Sequence, residues 1–136
     1  MRQVFDSFAG LDNFLVYLTV SLAYLAVFVT LYLRVTPYRE IELIRQGNMA
    51  AAFSLSGSIL GFVIPLAASV QHSVSLVDMA IWGFIAMLVQ IAAFVVARLL
   101  IPSISADIPA NKTSAGFFLG SLSLGVGLLN AASMSY

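Results

Sequence analysis

The stretch LVQIAAFVV places one amide, Gln90, in the middle of an otherwise apolar run. An unpaired amide in hydrocarbon is costly, so Gln90 must face protein or a water-filled path. Counted at about 1.5 Å per residue from the outer ends of their runs, Tyr24, Ser58, Gln90 and Ser121 all fall about 20 Å deep. They can form one polar layer. That layer reads either as a substrate or ion path or as hydrogen-bonding glue between helices. Asn130, Pro65, Trp82, Gln71, His72 and Asp78 gather nearer the other end and can line an outward-facing pocket. Each also has a plain account. Ser75 and Asp78 have the spacing of a capping box, Pro65 is a kink, Trp82 suits an interfacial belt, and His72 is a solvated loop residue.

Glu40 and Glu42 are a second pair of chemical groups, set among Arg34, Arg39 and Arg45. Their spacing puts them on opposite sides of a short helix, which argues against joint acid–base work. No Ser/His/Asp spacing, glycine-rich phosphate loop or HExxH motif occurs. The chain has no cysteine and one histidine, so thiolate chemistry is excluded and no metal site or cofactor is expected. Apart from Asp78 at the very start of the third run, no charged residue lies inside an apolar run, which argues against a proton-coupled or voltage-sensing device.

These residues need a membrane scaffold to position them. The chain is 61% hydrophobic and 9% charged, against about 45–50% and about 25% in globular proteins. Its net charge of zero suggests no nucleic-acid partner. A span takes about 20 apolar residues, and four runs qualify: 13–33, 49–70, 76–97 and 114–134. Residues 1–136 thus read as a single all-α, polytopic transmembrane domain. The N-terminus, with Asp6 and Asp12 against Arg2, lacks the basic start of a cleaved signal peptide. Arg34, Arg39, Arg45, Arg98 and Lys112 fall on one side of the four spans. That side is predicted to be cytoplasmic, with both termini outside. Residues 37–46 read as a short interfacial helix, with Pro37 in its first turn, Gly47 just past its end and Ile41 and Ile44 on its apolar side. The arginine-rich segment, with Glu40, serves as a topological anchor or as a docking surface.

The chain also resembles itself at an offset of 64 residues: positions 51–71 and 115–135 share eight identities, among them Phe53 with Phe117 and Gly61 with Gly125. Two similar helical hairpins, related as a parallel repeat, follow. Small residues recur at helical spacing on three spans: Gly57 and Gly61 on the second, Gly83, Ala86 and Ala93 on the third, and Gly116, Gly120 and Gly127 on the fourth. The first span instead carries Tyr17, Ser21, Tyr24, Phe28 and Tyr32. Rings complement glycine grooves, so the first span is expected on the second or fourth, and some small faces are open to a homodimer contact.

The segments TPYREIELIRQGNMAAAFSLSGSILGFVIPLAASVQHS, DMAIWGFIAMLVQIAAFVVARLLIP and GFFLGSLSLGVGLLNAASM resemble the YjfL-like small bacterial inner-membrane proteins, a UPF-type family with a domain of unknown function. The resemblance covers about three quarters of the chain. It implies four spans made from a duplicated two-span unit, in the bacterial inner membrane, alongside envelope-stress components. It transfers no activity and no catalytic residue.

The expectation is therefore a non-enzymatic inner-membrane protein. It is an envelope-associated scaffold or stress-related component acting through its cytoplasmic loop, or alternatively a small oligomeric channel or transporter with a polar path near Gln90 and Asn130. The expected partners are the lipid bilayer, a second copy of the chain in a dimer, and a cytoplasmic protein.

Overall fold

A computed structural model describes residues 1–134 and is all-helical among them, with no strand. Seven helices follow in order: α1 Arg2–Phe8, α2 Leu11–Val35, α3 Glu40–Arg45, α4 Met49–His72, α5 Leu76–Leu100, α6 Ile104–Asp107 and α7 Thr113–Ser133. Four of them, α2 (continuous in hydropathy with α1), α4, α5 and α7, are long and apolar enough to cross a membrane. The all-α, four-span fold class read from the sequence is borne out.

Turn chemistry fixes several ends. Gly47 takes φ +86° just past α3. The Asn48 N–H reaches back to the Leu43 carbonyl at 2.9 Å and the Gly47 N–H to that of Ile44 at 3.0 Å, the paired bonds of a Schellman stop. Asn48 then caps α4, its Oδ1 accepting from the Ala51 N–H at 2.8 Å. Ser75 caps α5 by accepting from the Asp78 N–H at 3.1 Å. The Asp78 carboxylate accepts from the Val74 N–H at 3.1 Å, one residue before the usual partner in a capping box.

The tightest packing is between α4 and α7, which run parallel. The glycines of one helix meet backbone of the other, in rising order along both. A Cβ on Gly116 would strike the Ala50 carbonyl, one on Gly57 would strike the Gly120 backbone, and one on Gly127 would strike the Gly61 carbonyl. Only hydrogen at these positions lets the backbones approach so closely. These glycine faces are thus filled within the chain. Gly125 is different: a Cβ there meets nothing within 4 Å. On the outer side of the same seam, Phe53 and Phe117 meet edge to face with ring centroids 5.8 Å apart.

The first span, α2, lies outside this pair and packs on α4 and α5. Its inward stripe carries the contact. Phe28 stacks on Phe62 of α4 at 4.5 Å, and Tyr32 meets Phe94 of α5 edge-on at 5.4 Å. Burial of these rings and their offset geometry favour the contact. The opposite face of α2, including Leu15, Leu18, Leu22 and Leu31, is exposed, as a lipid-facing surface would be.

One connection differs from the sequence reading: residues 37–39 are not helical, and α3 is confined to Glu40–Arg45. The connection after α5 carries the short α6, with Ile104 and Ile108 fully buried.

Candidate functional site at the arginine-bearing end of the bundle

The connection from α2 to α3 alternates inward and outward. Thr36, Tyr38 and Glu40 are buried, while Pro37, Arg39 and Ile41 are exposed. Two helix ends bracket it: the Thr36 N–H bonds the Tyr32 carbonyl at 3.0 Å, and Gly47 stops α3. The inward face of α3 is Glu40, Leu43 and Ile44, at i, i+3 and i+4. Ile41, expected on the apolar side, points out and is 43% exposed.

Glu40 is the unexpected occupant of that face. It is 0% exposed, and neither carboxylate oxygen closes a hydrogen bond. The Tyr38 hydroxyl is likewise buried without a partner. Burial pushes the Glu40 carboxyl from 4.5 up to about 8. The Tyr38 and Tyr32 hydroxyls draw it partly back by their proximity, though neither reaches hydrogen-bond geometry with it. Burial, with the neighbouring Tyr32 and Glu40, also raises the Tyr38 phenol. Tyr32 itself pairs with Ser54 of α4, Oη to Oγ at 3.2 Å. Ser54 lies five residues into α4, about 8 Å past its start. A surface cleft of about 530 Å³ borders the group, lined by Leu33, Pro37, Tyr38, Glu40 and Arg45 among others.

The arginines surround this site without entering it. Arg39 and Glu42 form an exposed pair at 3.5 Å, and Arg34 and Arg45 are exposed. Lys112 pairs with Asp107 at 3.2 Å. The Ser103 hydroxyl and this ammonium hold the Asp107 carboxyl below its ordinary value. Two asparagines bind this end together. Asn48 Nδ2 donates to the Ile108 carbonyl at 3.0 Å. Asn111 Oδ1 accepts from the N–H groups of Met49 and Ala50, at 3.0 and 3.2 Å. These are orphan donors of the first turn of α4, satisfied from a different loop.

The predicted mid-membrane layer is divided. Ser58 and Ser123 approach at 3.4 Å, and Gln90 Nε2 donates to the Ser123 carbonyl at 2.8 Å. Ser123 takes the place expected of Ser121, which is exposed. Gln90 is buried against Gly61, and its Oε1 has no partner. Tyr24 is elsewhere: its hydroxyl donates to the Ala80 carbonyl, ten residues earlier on α5 than Gln90. The residues expected to line an outward pocket have separate local roles. His72 is exposed at the end of α4, Asp78 serves the α5 start, Trp82 is half-buried against the core, and the Asn130 amide nitrogen is buried without a partner.

Sequence reasoning missed the burial of Glu40 and the roles of Ser123, Asn48 and Asn111. The 40/43/44 spacing was a readable signal for the first. For Asn111 the signal was its residue type, since asparagine tolerates the left-handed backbone it adopts at φ 59°.

The family model for a domain of unknown function, DUF350, matches residues 6–134. The chain belongs to this DUF350 family. Its relatives include the UPF0719 inner membrane protein YjfL of Escherichia coli, strains K12 and O157:H7. Each is 37% identical over 123 residues, covering 90% of this chain and 93% of the relative. The UPF0719 transmembrane protein YshE of Bacillus subtilis is 29% identical over 118 residues, covering 85% and 88%. No solved structure matches the chain. The resemblance drawn from the three quoted segments is borne out, and this DUF350 chain is a membrane protein of a family whose function is unknown.

Proposed function

We propose that this DUF350 chain is a non-enzymatic inner-membrane scaffold that works from its cytoplasmic face, as an envelope-associated or stress-related component. The observation that carries the reading is the division of labour within residues 36–47. Thr36, Tyr38, Glu40 and the Gly47 stop hold the segment on the bundle, while Arg39, Glu42 and Arg45 stand in solvent. A charged surface held by a rigid base suits recognition of a protein partner. The names of the Escherichia coli relatives support the inner membrane as its location. Five of six cations fall at one end of the four spans, which supports a cytoplasmic arginine-bearing end and both termini outside. A homodimer is the favoured assembly. It would use surfaces other than the α4–α7 glycines, which are already filled.

Photo-crosslinking in intact cells tests this. A crosslinker at position 42 is expected to capture a discrete protein adduct that is lost in Arg39→Ala/Arg45→Ala. A crosslinker at position 74, at the opposite end, is expected not to capture it. Equal adducts from both ends, or no effect of the arginine variant, would count against the scaffold.

A second reading is a small oligomeric channel or transporter. The buried Gln90 Oε1 and Asn130 Nδ2 atoms, both without hydrogen-bond partners, favour it. The α4–α7 seam closes the centre of one chain, so such a path needs an oligomer axis. Flux into liposomes that vanishes in Gln90→Leu and Asn130→Leu would support it, and flux no greater than empty vesicles would dismiss it.

A further inference from the structure

Three buried oxygens without partners meet at one place: both carboxylate oxygens of Glu40 and the Tyr38 hydroxyl. The Tyr32 and Ser54 hydroxyls, 3.2 Å apart, adjoin them. Buried polar atoms are normally satisfied, and each orphan calls for a reason. All five atoms are oxygens, the ligand type of hard cations. One carboxylate among neutral hydroxyls balances one positive charge, not two. No group of three or more His, Asp or Glu able to hold a metal occurs among the described residues, so a divalent site is not in competition. The cleft bordered by Leu33, Pro37 and Tyr38 gives this cluster a short route to the surface.

We propose that Glu40, Tyr38, Tyr32 and Ser54 form a desolvated site for one univalent cation, sodium or a proton, bound beneath the α2–α3 connection. Charge alone would not distinguish the two ions, because both neutralise the same carboxylate. Binding joins α2, the connection, α3 and α4 through one ion, and so ties the posture of the Arg39–Arg45 surface to the ion's presence. Of the titratable and charged groups on the elements around the site, Tyr32 and Arg34 belong to α2, Tyr38 and Arg39 to the connection, and Glu42 and Arg45 to α3. Near this end α4 adds Ser54 and Ser58 but no ionisable side chain, and α5 ends in Arg98. Of these, only Tyr32 and Tyr38 act on Glu40, and the arginines are exposed.

The test is thermal unfolding of the full chain in lipid nanodiscs, with sodium chloride exchanged for N-methylglucamine chloride at constant ionic strength, between pH 6 and 9. If sodium binds, it raises the melting temperature at pH 9. Its apparent affinity then falls by about tenfold per pH unit once the proton competes. If the proton alone binds, stability falls with rising pH equally in both salts. In either case Glu40→Gln removes the response and Glu42→Gln, at an exposed carboxylate, keeps it. Tyr38→Phe provides the second reading if Glu40→Gln does not fold: it is expected to weaken the sodium response several-fold, or to move the midpoint of the pH response. Wild-type melting that ignores both sodium and pH, or a full response retained in Glu40→Gln, would overturn the proposal.

Discussion

Gln90 of α5 donates its side-chain amide to the backbone carbonyl of Ser123 in α7, at 2.8 Å, inside the bundle. The carbonyl already belongs to a helix, so the contact adds a second bond to one acceptor. Bonds of this kind between membrane helices average about 0.6 kcal/mol and reach about 1.7. Gln90→Leu is therefore expected to lower stability by about 1 kcal/mol and leave the fold intact. Reversible unfolding in mixed micelles checks this. A loss many times larger would mean that Gln90 does more than join two helices.

The α4–α7 seam supplies a sharper contrast. Gly61→Ala places a methyl group against the Ser123 backbone and the Gln90 amide, while Gly125→Ala places one in open space. Overpacking costs about 1–3 kcal/mol. Gly61→Ala is expected to be destabilised by that amount, and Gly125→Ala to melt within about 0.5 kcal/mol of the parent. Equal effects at the two positions would contradict the seam.

Stability should depend on pH through Glu40. Its carboxyl rises from 4.5 to about 8 in the folded chain, so folding favours the protonated form. The contribution is complete below about pH 4.5 and is lost as pH rises toward 8. In sodium-free buffer, Glu40→Gln is expected to match the parent near pH 4.5 and to exceed it by on the order of 5 kcal/mol above pH 8. Parallel pH curves for the two proteins would refute a buried ionisable Glu40.

Asn111 does two jobs: it adopts φ 59° and accepts from the first two N–H groups of α4. Asn111→Gly keeps the backbone and loses the cap. Asn111→Ala loses both. The expected cost is about 1 kcal/mol for glycine, with alanine costing more. Chemical denaturation of both variants, ranked against the parent, checks the order.

How legible was this in the sequence? Hydrophobic runs and arginine placement were enough for four helices, because span length is set by bilayer thickness. The small residues Gly57, Gly116 and Gly120 announced close packing, but not that α4 and α7 would consume it within one chain. Depth counting brought Ser58 and Gln90 to one level. It could not choose between Ser121 and Ser123, two residues and more than half a helical turn apart in direction, since depth says nothing of azimuth. Glu40 was misread because charge next to arginines suggests solvent. Its burial depends on Tyr32 and Ser54, which lie on two other helices and leave no local trace. Asn48 and Asn111 were hidden for the same reason: each satisfies backbone about 60 residues away.

In the proposed topology residues 36–47 lie at the inner face, with Glu40 buried and Arg39 exposed. The chain has no cysteine, so single cysteines report accessibility cleanly. The direct measurement is thiol labelling in intact cells and in permeabilised ones, with a membrane-impermeant maleimide. Arg39→Cys and Glu42→Cys are expected to label only after permeabilisation, Val74→Cys to label in intact cells, and Glu40→Cys to stay protected in both. Labelling of position 39 from outside, or of position 40 as fast as position 39, would contradict this arrangement.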